Sequence, residues 1–218
     1  MVDHQHWHDR WREDRIGFHE TTVNPHLQTY LPAFSLPAGS RIFVPLCGKA
    51  LDLAWLSDQG YEVLGIELSR IALEAFFAEQ ERDYSCTDTD RFRIYRSGNL
   101  TLLEGDFFDL RADDLQGCAM TYDRAALIAM ESPDRPAYYE HMRSVLPSDS
   151  GMLLITLEYD QGEMRGPPFA VPEAEVRDHY SAEFSIRSLE RNSIIDERPR
   201  WRKVGLSALE EVVFRLDR

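Results

Sequence analysis

Residues 41–69 read RIFVPLCGKALDLAWLSDQGYEVLGIELS. Two short and nearly continuous apolar runs, Ile42-Phe43-Val44 and Val63-Leu64-Gly65-Ile66, flank a helical stretch from Ala50 to Gln59 that stops at Gly60. A strand that is apolar at every position is one buried on both faces, and glycine is the natural residue just past a helix C-terminus. Strand, helix, strand in this order implies a right-handed crossover between parallel strands. The pattern repeats downstream. Ser69 to about Arg82 starts on a capping hydroxyl and carries Ile71, Ala72, Ala75 and Phe76 on one stripe. Ala119-Met120-Thr121-Tyr122 and Met152-Leu153-Leu154-Ile155 are further apolar runs. Between them Tyr138, Met142 and Val145 line a helix opened by Ser132-Pro133 and Asp134-Arg135-Pro136. The fold class is α/β with a mostly parallel sheet.

The two ends depart from this alternation. His4 to Asp14 reads as a short helix bearing Trp7 and Trp11. Asn24-Pro25 then supplies a cap and an N1 proline for a helix with Leu27, Tyr30, Leu31 and Phe34 at i, i+3, i+4, i+7. At the other end Phe184, Ile186 and the run Leu206 to Leu216 read as two longer strands joined by a polar, arginine-rich link, pairing antiparallel at the sheet edge. Arg82 to Arg91 is polar and reads as a loop. The expected organisation is one domain over 1–218, with 1–40 an N-terminal cap and 41–218 the α/β core.

Composition narrows the function classes. Of 218 residues, 43% are hydrophobic and 11% aromatic, enough for a sizeable core. Twenty-four Lys and Arg against 38 Asp and Glu give a formal charge of −14, which repels nucleic acid and anionic membrane surfaces alike. No apolar run approaches the ~20 residues of a bilayer span, and Met1 to Glu13 lacks a signal-peptide core. Cys47, Cys86 and Cys118 are an odd, widely spaced set without a CxxC pair, the usage of free thiols in a cytoplasmic protein.

In an open α/β sheet, ligands bind beyond the carboxyl ends of the strands. Four such ends carry chemistry. Val44-Pro45-Leu46-Cys47-Gly48-Lys49 follows the first strand with a single glycine, neither a dinucleotide GxGxxG nor a Walker motif; it is a bare backbone seat for a ligand or an ordinary tight turn. Glu67 ends the second strand 19 positions after Gly48, the spacing at which a carboxylate meets a ribose diol, or it caps the next helix. In Glu104-Gly105-Asp106-Phe107-Phe108, Asp106 accepts from an exocyclic amine beside aromatic rings, or caps its own turn. Arg124, in Tyr122-Asp123-Arg124-Ala125, meets an anionic ligand or forms a salt bridge with Asp123 or Asp109. Together the four fit an adenosine-containing cofactor. His4, His6 and His8 lack a plausible fourth ligand, so no metal is expected. Cys47 has no partner suited to a catalytic thiol. Gly166-Pro167-Pro168-Phe169 is a stiff loop placed to wall a pocket.

These pieces resemble a known family. Trp7-His8-Asp9-Arg10-Trp11, Ile16-Gly17-Phe18-His19, Val44 to Lys49, Gly65-Ile66-Glu67, Tyr122 to Leu127 and Gly166 to Phe169 are similar to the bacterial thiopurine S-methyltransferases, over about Trp7 to Arg198. The resemblance implies a Rossmann-like class I methyltransferase fold: a seven-stranded sheet flanked by helices, with an antiparallel C-terminal edge and an N-terminal helical cap. It implies S-adenosyl-L-methionine as cofactor, S-adenosyl-L-homocysteine as product and no metal. Trp7, Trp11, Leu46, Gly48, Glu67, Asp106 and Arg124 are the implied cofactor residues, Phe18 and Arg198 the acceptor contacts, and Arg124 and Arg198 the catalytic pair. The acceptor is a small-molecule thiol, with selenium and tellurium species a further class implied by bacterial members. Two rivals stay open: a non-catalytic S-adenosylmethionine sensor, and a dehydrogenase using NAD, which the missing glycines disfavour. Without heptads or long exposed edges, a monomer is expected.

Overall fold

The computed structural model describes residues 4–218, so the first three residues of the expected 1–40 cap lie outside the described residues. In chain order the elements are α1 (His4–Arg12), α2 (Pro25–Tyr30), β1 (Arg41–Val44), α3 (Leu51–Asp58), β2 (Glu62–Glu67), α4 (Arg70–Glu79), β3 (Ser85–Asp88), β4 (Arg93–Ser97), β5 (Leu100–Glu104), β6 (Cys118–Arg124), α5 (Arg135–Val145), β7 (Gly151–Glu158), α6 (Glu173–Tyr180), β8 (Ser185–Ser193), α7 (Pro199–Lys203) and β9 (Glu210–Asp217). Among the described residues the strands form one nine-stranded sheet, ordered β3-β4-β5-β2-β1-β6-β7-β9-β8. The central five, β5-β2-β1-β6-β7, run parallel, and both edges are antiparallel.

Alternate residues of each central strand enter different layers. Phe43, Leu64, Met152 and Leu154 pack on one face with Tyr138, Tyr139 and Met142 of α5. Ile42, Val44, Val63, Leu153 and Ile155 pack on the other with Leu27, Leu53, Phe76 and Phe77 from α2, α3 and α4. This double burial is the physical reason the runs are continuous rather than alternating. The cap follows its sequence signals: the Asn24 side chain accepts from the backbone N–H groups of His26 and Leu27 at 2.9 and 3.3 Å, and Leu27 below it is fully buried.

Three expectations change. The sheet has nine strands rather than seven, because the 82–91 segment contains β3, which with β4 extends the sheet beyond β5. All four β3 residues are exposed, so an edge strand with nothing to bury leaves no apolar signal. At the C-terminus β8 and β9 pair antiparallel as expected, but β9 starts at Glu210: Leu206 and Leu209 are buried in the approach to it rather than in a strand. The arginine-rich link contains α7, with Pro199 in its first turn.

Candidate functional site

The loop after β1 turns back sharply. Leu46 and Gly48 both have left-handed backbone, φ 46° and 53°, as does Ala125 after β6, φ 66°. Two non-glycine residues held there at the carboxyl edge of the parallel strands mark a backbone shaped by its surroundings. At Gly48 a side chain would also be crowded, since a Cβ would lie 3.1 Å from the Trp11 ring, which would have to give way. Cys47 is buried, and burial together with the neighbouring Glu67 charge pushes its thiol well above the ordinary range, which favours the neutral thiol.

Glu67, at the end of β2, is buried with its carboxylate turned back toward this loop. Oε2 accepts the Gly48 N–H at 2.9 Å and Oε1 the Ser69 N–H at 2.8 Å. Burial raises its carboxyl, opposed by the backbone N–H groups of Ser69, Gly48 and Leu68. The carboxylate keeps acceptor capacity beyond these backbone donors. Asp106 both caps its turn, accepting the Phe108 N–H at 2.9 Å, and pairs with His4 of α1 at 3.2 Å. Asp106, Leu46, Glu67, Leu68, Phe107 and Phe108 surround a small chamber of about 40 Å³.

Beside that chamber, sharing Leu46, Glu67 and Leu68 with it, lies a cavity of about 360 Å³. The cap forms its aromatic wall: the Phe18 ring meets Trp7 and Trp11 edge-on, centroids 5.8 and 5.6 Å apart. Arg10 Cζ sits 5.6 Å from the Phe18 centroid, and its buried Nε has no hydrogen-bond partner among the described residues. Pro167 and Pro168 close another side.

Opposite the rings is a cluster of charge. Arg124, at the end of β6, pairs not with Asp123 or Asp109 but with Glu20 of the cap, Nη2 to Oε1 at 3.3 Å. Arg198 donates to the same oxygen at 2.5 Å, and Arg200 Nη2 stands 3.9 Å from it. Burial works to raise the Glu20 carboxyl, but the Arg198 hydrogen bond and the charges of Arg198, Arg124 and Arg200 more than offset it, holding it below the ordinary value. Asp123 points the other way, accepting the Tyr138 hydroxyl at 2.7 Å and the Leu127 N–H at 3.2 Å, with burial raising its carboxyl to about 6. Asp52, also in the cavity wall, accepts the Asn24 N–H at 2.7 Å and the Tyr122 hydroxyl at 3.2 Å; burial raises its carboxyl. At His19, burial reinforced by Lys49 favours the neutral ring. Five Arg or Lys and four Asp or Glu line the cavity, a local excess of positive charge in a chain of net −14.

The sequence model of the family described as thiopurine S-methyltransferase matches residues 2–218. Curated relatives called thiopurine S-methyltransferase from Pseudomonas paraeruginosa and Azotobacter vinelandii are 49% and 46% identical over 212 residues, covering 97% of this chain and 97% of each relative. This chain belongs to the thiopurine S-methyltransferase family. Its fold is shared more widely. A Burkholderia thailandensis 1,6-didemethyltoxoflavin-N1-methyltransferase solved with S-adenosylhomocysteine aligns with TM-score 0.65 at 16% identity, over 99% of this chain and 86% of that one. Haemonchus contortus phosphoethanolamine N-methyltransferase 2, solved with S-adenosyl-L-methionine, aligns with TM-score 0.67 at 11% identity, over 100% of this chain and 60% of that one.

In this member of the thiopurine S-methyltransferase family, Trp7, Trp11, Phe18, Leu46, Gly48, Glu67, Arg124 and Arg198 line one cavity, and Asp106 lines the chamber next to it. Sequence reading missed Glu20, Asp52, Arg200 and Glu211, which line the same cavity. Glu20 follows the Ile16 to His19 motif directly, a signal of position alone. Asp52 comes from the first turn of α3 and Glu211 from β9, which lies between β7 and β8; an acid at either place ordinarily reads as solvated. Among the described residues no group of three or more His, Cys, Asp or Glu is arranged to hold a metal ion.

Proposed function

We propose that this chain transfers the methyl group of S-adenosyl-L-methionine to the sulfur of aromatic and heterocyclic thiols such as 6-mercaptopurine. The observation that carries the proposal is the convergence, at the ends of β1, β2 and β6, of a buried ribose-type carboxylate, an aromatic cap and an arginine cluster around one cavity. The residues suit the cofactor. Glu67 retains acceptor capacity for a diol, and the turn at Gly48 leaves bare backbone beside it. The chamber between Asp106, Phe107 and Phe108 suits the edge of an adenine. Trp11, Leu46 and Arg124 complete the seat, and Trp7 covers it from α1.

Bound there, S-adenosylmethionine would supply a methyl group already activated on a sulfonium: as an in-line thiolate sulfur forms its bond to that carbon, the sulfonium–carbon bond would break and S-adenosylhomocysteine would leave. The protein's task is alignment and exclusion of water. Trp7, Trp11 and Phe18 give the cavity one apolar wall, and their ring faces tolerate a positive sulfonium. Arg124 and Arg198 stabilise an anionic sulfur, so the thiol enters ionised and its proton leaves to solvent. Glu20, held low among three guanidiniums, is a poor proton acceptor. The test is label transfer from radiolabelled S-adenosylmethionine to 6-mercaptopurine: labelled 6-methylmercaptopurine supports the assignment, and cofactor binding without transfer to any thiol refutes it in favour of a sensor.

The positive lining of the cavity supports selenium or tellurium species as a second acceptor class. Increased metalloid sensitivity on deleting the gene is the expected result, and unchanged sensitivity refutes it. The proposal further takes the chain as a monomeric cytoplasmic enzyme, one domain over 1–218 with 1–40 as the cap.

A further inference from the structure

Among the described residues Glu20 is the one carboxylate paired with Arg124, Arg198 and Arg200 inside the cavity, and all three guanidiniums converge on its Oε1 at 3.3, 2.5 and 3.9 Å. It comes from the cap, whereas the arginines come from β6 and from the start of α7. Its side chain is 31% exposed, facing the cavity rather than sealed in the core. A cluster of three cations around one carboxylate oxygen is what a bound anionic ligand would present. The chain therefore fills its own anion seat.

We propose that Glu20 is a specificity-determining residue: an internal carboxylate that occupies the anion seat of Arg124, Arg198 and Arg200, so that acceptors whose only anionic atom is the reacting sulfur are preferred over acceptors bearing an additional carboxylate. This preference presupposes the thiol methyl transfer proposed above. The reacting sulfur needs only part of the cluster's excess charge. A second carboxylate on the acceptor must either displace Glu20 from the Arg198 hydrogen bond or stand beside it, and like charges brought together across a partly desolvated contact oppose binding. Glutamine at this position keeps the shape and removes the competing charge.

The experiment compares 4-mercaptobenzoate with 4-methylbenzenethiol, nearly the same shape with and without a carboxylate. Binding of each is measured by calorimetry at saturating S-adenosylhomocysteine, in the wild type, Glu20→Gln and Glu20→Asp, with melting curves to verify folding. The wild type is expected to bind 4-methylbenzenethiol more tightly. In Glu20→Gln the affinity for 4-mercaptobenzoate rises about tenfold or more relative to 4-methylbenzenethiol, about 1.4 kcal/mol; Glu20→Asp keeps the wild-type order. An unchanged ratio in Glu20→Gln, or equal loss for both ligands, overturns the proposal and leaves Glu20 a brace for Arg198. If Glu20→Gln does not fold, tighter wild-type binding of 4-mercaptobenzoate overturns it alone. Label transfer to the same pair is read separately. Discrimination in binding without transfer refutes the methyl-transfer proposal and leaves the role of Glu20 standing; transfer with an unaltered ratio does the reverse.

Discussion

Glu67→Gln is the sharpest probe of the cofactor seat, because the substitution preserves shape and alters only what the side chain can accept. In the native site one carboxylate oxygen takes the Gly48 N–H at 2.9 Å and the other the Ser69 N–H at 2.8 Å. A glutamine can accept only one of them; its NH₂ must face the other donor. Losing one charge-assisted hydrogen bond and opposing two donors in a buried place costs about 1–3 kcal/mol. Part of that is returned, since burial already raises the Glu67 carboxyl and an amide avoids that desolvation. The expected net is about 1–2 kcal/mol of stability, or about 2–8 °C in Tm for a chain of this size. On the proposed binding mode the cofactor loses more than the fold, because a diol held by Glu67 would also lose one of its two acceptors. S-adenosylhomocysteine affinity should fall about 10- to 100-fold. Turnover at saturating S-adenosylmethionine should change by less than about threefold, because the proposed binding mode puts Glu67 at the ribose and not at the reacting sulfur. The assays are calorimetric binding and urea denaturation on the same preparation. Wild-type affinity in a folded variant refutes the diol role; wild-type stability as well refutes the hydrogen-bond accounting.

Other outcomes follow from the same geometry. Arg124→Ala removes a guanidinium from the cavity and should lower kcat/KM by about 100-fold or more while weakening cofactor binding; unchanged values of both would exclude Arg124 from the site. Gly48→Ala forces a side chain into left-handed backbone and against the Trp11 ring, at about 1–2 kcal/mol, and should shift tryptophan emission as α1 is displaced; an unaltered spectrum and Tm would contradict this. The Asp123 carboxyl, raised by burial to about 6 from 3.8, makes the native state hold a proton that the unfolded chain has lost between those pH values. Stability contributed there therefore falls by about 2 kcal/mol as pH rises from about 4 to 6, and Asp123→Asn should flatten that part of the urea-midpoint profile; an equal slope in the variant is the contrary result.

Much of this molecule is legible in the sequence by itself. Doubly buried parallel strands need continuous apolar residues, so Ile42 to Val44, Val63 to Ile66 and the runs at 119–122 and 152–155 announce the central sheet. The cap at Asn24 is a local hydrogen-bond device, and Glu67 follows Gly48 at a spacing set by one strand–helix–strand unit. What depends on solvent-facing or long-range partners had to come from tertiary structure. β3 buries nothing and so leaves no hydrophobic trace. Arg124 has two acids near it in sequence, yet it is paired across the molecule with Glu20, while the adjacent Asp123 is turned to Tyr138 in the opposite layer. Neighbouring strand residues point to opposite faces, so adjacency in sequence separates Asp123 from Arg124 in space. The meeting of Glu20 with Arg198, 178 positions apart, is decided only when the cap folds onto the carboxyl edge of the sheet.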